Sequence, residues 1–320
     1  MAQTVRIGTR GSRLALWQAG AVRDALAAAH ALPVEHFEIV SIRTSGDRIQ
    51  DRALAEVGGK GLFSKEIEEA LLSGAIDLAV HSAKDMETFL PTGLMIAATL
   101  EREDIRDALI TRDGVGLDTL PPGARLGTAS LRREALVRRA RPDLAIELLR
   151  GNVPTRLQRV EDGYLDATLL AAAGLKRLGL QGHITAYLPL DTFPPACGQG
   201  AVAVECRVAD SAIRDMLAVI DHRDTALAIA CERAFLAALD GSCRTPVAGT
   251  ARLNGGDLHF AGVLLAPDGR ESYEASATGD AADAVAIGQA AGAEIRHRAP
   301  ASFLARIGIG TGLGPQFGVR

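Results

Sequence analysis

The same short phrase opens two regions of the chain. Arg6-Ile7-Gly8-Thr9 runs into a helical pattern over Ser12–Ala29, and Arg125-Leu126-Gly127-Thr128 runs into another over Ser130–Arg141. Each reads as strand, turn and helix. A second match follows: Gly74-Ala75-Ile76-Asp77 ahead of a strand-like LAVHS, and Gly163-Tyr164-Leu165-Asp166 ahead of a strand-like ATLLAA. Strands alternating with helices at these spacings predict mainly parallel sheets with helices on both faces, and such sheets take ligands beyond the carboxyl ends of their strands. The expected fold class is α/β, with two related lobes and a cleft between them.

From about Asp224 the pattern changes. A helical run over Thr225–Leu239 is followed by strand-like Val247–Leu253 and Leu258–Leu265, with turn signals at Asn254-Gly255-Gly256 and Pro267-Asp268-Gly269. Strand-like Glu274–Thr278 and helical Ala281–Arg298 complete a smaller α+β third domain, and the glycine-rich tail after Gly308 is expected to be loosely ordered. A chain of 320 residues is long enough for two or three such cores.

Composition excludes several classes. A formal net charge of −4 and an aromatic content of 4% argue against nucleic acid as a partner, because such proteins carry a basic surplus and stacking platforms. Apolar runs such as Ala167–Leu175 fall short of the ~20 residues that span a bilayer, and Met1–Arg10 lacks the apolar core of a signal peptide, so a soluble cytoplasmic protein is expected, with no membrane partner. Cysteines stand at 197, 206, 231 and 243, none in a Cys-x-x-Cys or Cys/His pattern, so neither a metal site nor a disulfide framework is expected.

Charge is concentrated locally. Between Arg125 and Val160 lie nine arginines against three acids, Glu134, Asp143 and Glu147. The guanidinium fork suits carboxylates and phosphates, so this region points to a multiply anionic ligand. Arg138, Arg139, Arg141 and Arg159 read as solvated helix faces. Arg132 and Arg133 fall instead at the strand-to-helix turn Thr128-Ala129-Ser130-Leu131, where free backbone N–H groups favour anions. Arg10 and Ser12 occupy the equivalent turn of the first lobe, and Arg150 and Arg156 flank another helix start at Gly151-Asn152.

The strand Ile76–Ser82 ends in Ala83-Lys84-Asp85-Met86, placing a cation and a carboxylate at a strand's carboxyl end. Such a pair is usually a surface ion pair of little consequence. Facing the arginines, Asp85 becomes a candidate proton donor and cation stabiliser. Among the cysteines, Cys231 and Cys206 fit apolar faces, Cys197 is ambiguous, and Cys243, in Asp240-Gly241-Ser242-Cys243-Arg244, has no apolar pattern and reads as an available thiol.

Taken together, TRGSRLALWQA, VGGKGLFSKEIEEALL, DLAVHSAKD, EREDIRDALI, GTASLRR, LRGNVPTRL, AAAGLKRLGL, PACGQGA and DGSCRTPVAG closely resemble the porphobilinogen deaminases, or hydroxymethylbilane synthases, from about Val5 to the 240s and more weakly beyond. The resemblance implies two periplasmic-binding-protein-like lobes and a third domain. The first lobe would take 1–100 plus a return segment at 201–218, the second 106–195, and the cofactor-attachment domain 223–320. It implies a monomeric transferase of porphyrin and haem biosynthesis that condenses four porphobilinogen molecules head to tail into hydroxymethylbilane with loss of ammonia.

By the same resemblance Cys243 carries a dipyrromethane primer through a thioether, and Asp85 matches the family's catalytic aspartate. Lys84, Thr128, Ser130, Arg132 and Arg133 match cofactor-holding positions, and Arg10, Ser12, Arg150, Arg156 and Arg177 match positions at the substrate or elongating chain. The chemistry agrees, since each pyrrole brings two carboxylates into the cleft. The chain departs from the family pattern at Pro154, at Met86-Glu87 and at Ser242, and Lys60 belongs to the Gly-rich segment. A two-lobed binding protein for a small anion is the main rival, and it leaves Cys243 without a role.

Overall fold

The computed structural model describes residues 4–48, 61–241 and 245–310. The phrase Arg6–Thr9 lies within the strand Val5–Arg10, which pairs in parallel with Phe37–Ile42 and with Leu78–Ser82. Its sheet runs in the order Phe37–Ile42, Val5–Arg10, Leu78–Ser82, Val202–Arg207, Leu94–Thr99. The second sheet runs Ala145–Leu148, Arg125–Thr128, Ala167–Ala171, Asp107–Thr111, Ala186–Tyr187. The two orders correspond strand for strand. In each, the fourth strand is antiparallel to both neighbours, so the sheets are mixed where the pattern predicted mainly parallel ones.

The repeated phrases form one physical unit, built twice. The Arg6 backbone N–H donates to Asp77 Oδ2 at 2.8 Å while its guanidinium reaches Asp77 Oδ1 and the Gly74 carbonyl, both at 2.8 Å. The Arg125 N–H donates to Asp166 Oδ2 at 2.8 Å and its guanidinium to the Gly163 carbonyl at 2.8 Å. Gly8 and Gly127 clear space for the apolar residue of the partner phrase: a Cβ there would stand 2.2 Å from Ile76 Cδ1 and 2.3 Å from Leu165 Cδ1. Glycine leaves room for that side chain at both.

Alternate strand residues feed helices on opposite faces, as strand geometry requires. Leu78 and Val80 pack with Val22 and Leu26 of the helix Arg13–Ala29, whereas Ala79 packs with Ile67 and Leu71 of Lys65–Leu72. In the second lobe Leu109 and Leu169 meet Leu136 of the helix Leu131–Ala140, and Ala108 and Leu170 meet Leu157 and Val160 of Val153–Glu161.

The antiparallel strands are delivered by crossing chain. Asp107–Thr111 follows directly on the first lobe's edge strand, and Val202–Arg207 returns to the first sheet only after the second is complete. The buried Glu232 pins this crossover: Arg102 Nη1 and Nη2 donate to it at 2.7 and 3.0 Å, the Gly198 N–H at 2.6 Å, and the Ala251 N–H at 2.8 Å.

Glu232 sits on the helix Arg223–Ala238, which with Ala284–Arg298 covers the antiparallel sheet Val247–Asn254, Asp257–Leu265, Ser272–Asp280. The last strand is longer than Glu274–Thr278, the helical run expected from Ala281 begins as a 3-10 turn before Ala284, and a short helix, Ala301–Arg306, follows. Phe235 and Phe260 pack in this core with their rings tilted by 52° and their centroids 4.7 Å apart. The two long helices approach closely enough that a Cβ at Gly288 would stand 2.0 Å from the Cys231 carbonyl oxygen.

Candidate active site

Strand Leu78–Ser82 ends in a single 3-10 turn, Ala83–Asp85, which carries Lys84 and Asp85 out of the first sheet. The turn is anchored from below: Ala83 and Met86 are buried with Ala201, Ala203 and Ile229. Met86 therefore fills an apolar site. Glu87 accepts from the Gly61 N–H at 2.5 Å, and Thr88 Oγ1 donates to the Gly241 carbonyl at 2.7 Å. Asp85 is exposed, and Lys84 is half-buried with Nζ donating to Gln199 Oε1 at 3.2 Å.

Two helix starts of the second lobe face this turn electrostatically. At the first, Thr128 Oγ1 accepts from the Ser130 N–H at 3.2 Å, and Ser130 Oγ caps the helix by accepting from the Arg133 N–H at 3.4 Å. At the second, Asn152 Oδ1 accepts from the Thr155 N–H at 3.0 Å, and Pro154 stands in the first turn, where a missing N–H costs nothing. Arg156 Nε donates to the Gly151 carbonyl at 2.8 Å.

Arg132 and Arg133 are buried and turned onto one carboxylate. Arg132 Nη1 donates to Asp107 Oδ2 and to the Pro194 carbonyl, both at 2.8 Å; Arg133 Nη2 donates to Asp107 Oδ1 at 2.8 Å and its Nη1 to the Leu169 carbonyl at 3.0 Å. Burial would raise the Asp107 carboxyl, but Arg132 and Arg133 override it and hold the group well below the usual carboxylate range. Burial pulls the Arg132 guanidinium down against the attraction of Asp107.

The cations outnumber the acids that face them. Burial and then Arg133 lower the Lys84 ammonium to about 8, opposed by Asp85 and Asp107. Burial and then Arg133 also lower Arg156 to about 10, with Asp85 pulling up and Arg150 pushing down. Lys84, Arg132, Arg133 and Arg156 thus form one cluster around Asp85 and Asp107, with Arg150 acting on it through Arg156. The buried Arg132 Nε has no hydrogen-bond partner. A desolvated cationic cluster with an orphan donor fits a ligand with several carboxylates, because each charge added relieves repulsion already present. The residues present therefore fit a dipyrromethane, whose pyrroles carry acidic side chains.

Arg10 and Arg177 are anchored separately. The Arg10 guanidinium lies 4.2 Å over the Phe63 ring at the end of the strand Val5–Arg10, while Arg177 donates to the Gly200 carbonyl at 2.7 Å and lies 5.6 Å from Trp17. Ser12 caps the helix Arg13–Ala29 by accepting from the Ala15 N–H at 3.2 Å. Arg138, Arg139 and Arg159 are exposed as expected. Arg141 differs, donating to the Leu117 and Leu120 carbonyls at 2.6 and 2.7 Å.

Three thiols are buried. Burial raises Cys206 to about 11 and Cys231 to about 12, and raises Cys197, the ambiguous one, well above its ordinary value. Cys243, Arg244, Ser242 and Lys60 lie outside the described residues, as does the tail beyond Gly310. Asp107 and Gln199 were missed by sequence reasoning. The signal for Asp107 was available, since an acid opening the apolar run Ala108-Leu109-Ile110 is buried and requires cationic partners.

Among the described residues no cluster of three or more His, Cys, Asp or Glu side chains could hold a metal ion, and no helix is long and apolar enough to cross a membrane. Solved structures of similar shape include an arginine-specific periplasmic binding protein of Salmonella typhimurium (11% identity, 70% of this chain and 94% of that one, TM-score 0.40) and the aliphatic sulphonate binding protein SsuA of Escherichia coli (15%, 74% and 70%, 0.39). Residues 5–215 match the family described as porphobilinogen deaminase, dipyromethane cofactor binding domain, and residues 226–297 match the porphobilinogen deaminase C-terminal domain. A porphobilinogen deaminase of Nitrobacter hamburgensis is 55% identical over 297 residues, covering 93% of this chain and 94% of the relative. With the repeated lobes, the shared cationic centre and these matches along nearly its whole length, the chain belongs to the porphobilinogen deaminase family.

Proposed function

We propose that the chain is a transferase that condenses four porphobilinogen molecules head to tail into hydroxymethylbilane, releasing one ammonia per addition and freeing the product from its primer by hydrolysis with one water, as a cytoplasmic monomer divided into 1–100 plus 201–218, 106–195 and 223–320. The observation that carries the proposal is the cationic cluster of Lys84, Arg132, Arg133 and Arg156 with the exposed Asp85. Family membership supports the reaction, and the cluster supports where it happens.

Cys243 is the proposed attachment point, through a thioether, with Lys84, Thr128, Ser130, Arg132 and Arg133 holding the cofactor. When bound, a dipyrromethane supplies the nucleophilic pyrrole carbon from which the chain grows. Arg10, Ser12, Arg150, Arg156 and Arg177 are assigned to the carboxylates of substrate and growing chain. Charge-assisted hydrogen bonds from arginine fix both position and orientation there.

Asp85 is the proposed catalytic residue. The substrate's ammonium departs as ammonia, leaving positive charge on the pyrrole, and a carboxylate beside that carbon stabilises it. Once the new carbon–carbon bond forms, the pyrrole carbon that attacked would release its proton to Asp85, which passes it to solvent before the next addition. An exposed carboxylate held among cations suits this cycle, because solvent reaches it directly.

Intact-protein mass spectrometry tests the reading. The purified chain should carry an adduct of two pyrrole units, absent after Cys243→Ser and kept after Cys197→Ser. Asp85→Asn should keep the adduct while turnover falls by on the order of 10²–10⁴. A fully active protein of unmodified mass would sink the primer assignment. Near-normal turnover in Asp85→Asn would remove Asp85 from catalysis.

A further inference from the structure

Gln199 is fully buried in the turn Cys197-Gly198-Gln199-Gly200. Its neighbouring glycines have φ of +78° and +87°. A Cβ at Gly198 would stand 2.8 Å from the Lys84 backbone nitrogen, and one at Gly200 2.4 Å from the Glu103 carbonyl oxygen. Only glycine permits both the conformation and the approach. The turn therefore presses Gln199 between the Lys84 turn of the first lobe and the start of the first strand of the second.

The amide is oriented from both ends. Nε2 donates to Asp107 Oδ1 at 2.9 Å and to the Ile105 carbonyl at 2.8 Å, two groups that only accept. Oε1 is thereby the end turned to Lys84 Nζ, 3.2 Å away. An ammonium only donates and an ionised carboxylate only accepts, so a side chain joining them needs a donor and an acceptor at one tip. Glutamate cannot donate to Asp107, lysine and arginine cannot accept from Lys84, and asparagine is a methylene shorter.

We infer that Gln199 is a positioning residue for Lys84, fastening the first lobe's cation to the Asp107 centre of the second lobe without neutralising it. The charged groups facing Lys84 are Asp85 on its own turn, Arg132 and Arg133 on the helix Leu131–Ala140, and Asp107 on the strand Asp107–Thr111. A neutral amide leaves their balance positive. That Lys84 then meets cofactor carboxylates rests on the proposed function; the fastening itself does not.

Trace acetylation with acetic anhydride across pH, read peptide by peptide, tests the fastening in the full-length Cys243→Ser chain, with exposed Lys65 as the internal control. The parent should titrate at Lys84 near about 8. In Gln199→Glu the midpoint should rise by about one unit, because a negative partner favours the ammonium, and in Gln199→Met it should fall by several tenths, because an acceptor is lost. An unmoved midpoint in folded Gln199→Met overturns the inference, whether or not Gln199→Glu folds.

A second readout is the rate at which adduct-free chains retaining Cys243 acquire the adduct, followed by intact mass with porphobilinogen as the probe. Gln199→Met and Lys84→Met should each slow it on the order of tenfold. Slowing in Lys84→Met alone would overturn the positioning role. Parental rates in Lys84→Met, alongside shifted midpoints in the Gln199 variants, would instead remove Lys84 from cofactor holding and leave the fastening intact.

Discussion

A single buried carboxylate organises the cationic site. Asp107 accepts from Arg132, Arg133 and Gln199, and its lowered pKa makes it a source of stability with a defined pH window. A carboxyl whose folded value lies below its unfolded value, about 3.9, contributes fully above that value and loses its contribution as pH falls towards the folded value. Asp107→Asn leaves two guanidiniums buried without their counter-charge, and breaking such a pair costs about 3–5 kcal/mol. Urea unfolding should show that deficit at pH 7 and a smaller one at pH 3. An equal deficit at both would exclude Asp107 as the titrating group.

At the scale of elements, glycine separates sites that demand it from sites that tolerate it. Gly288 lies where the helices Arg223–Ala238 and Ala284–Arg298 touch through backbone, so Gly288→Ala should cost about 1–3 kcal/mol as the helices part. Gly20, inside the helix Arg13–Ala29 with nothing within 4 Å of its Cβ position, should gain up to about 1 kcal/mol as alanine. Denaturant melts of the two variants should move in opposite directions. The same distinction explains what was legible in the sequence. Gly8 and Gly127 recur with Asp77 and Asp166 because one local unit is built twice, so the repeat could be read directly. The direction of the fourth strand in each sheet could not, because Asp107–Thr111 and Val202–Arg207 have no local signature of orientation. Lys84 and Asp85 were legible at a strand end. The partnership of Arg132 and Arg133 with Asp107 was not, because sequence pattern does not show which way a guanidinium turns.

At the scale of the molecule, Glu232 joins three parts: Arg102 of the first crossing, Gly198 of the second, and Ala251 in the third domain's sheet. The two crossings also fix an order of events. The second sheet draws all its strands from one stretch, Asp107 to Tyr187, whereas the first pairs Ser82 with Val202, more than a hundred residues apart. Long loops close slowly, so during refolding, pulse-labelled amides of Arg125–Thr128 and Ala167–Ala171 should gain exchange protection before those of Leu78–Ser82 and Leu94–Thr99. Simultaneous protection would refute that order. On the ribosome the consequence is sharper. The half of the protein made first must wait, its sheet open along the edge of Leu78–Ser82, until the half made second has emerged and folded, and in that interval the open edge is the part of the nascent chain most in need of a chaperone.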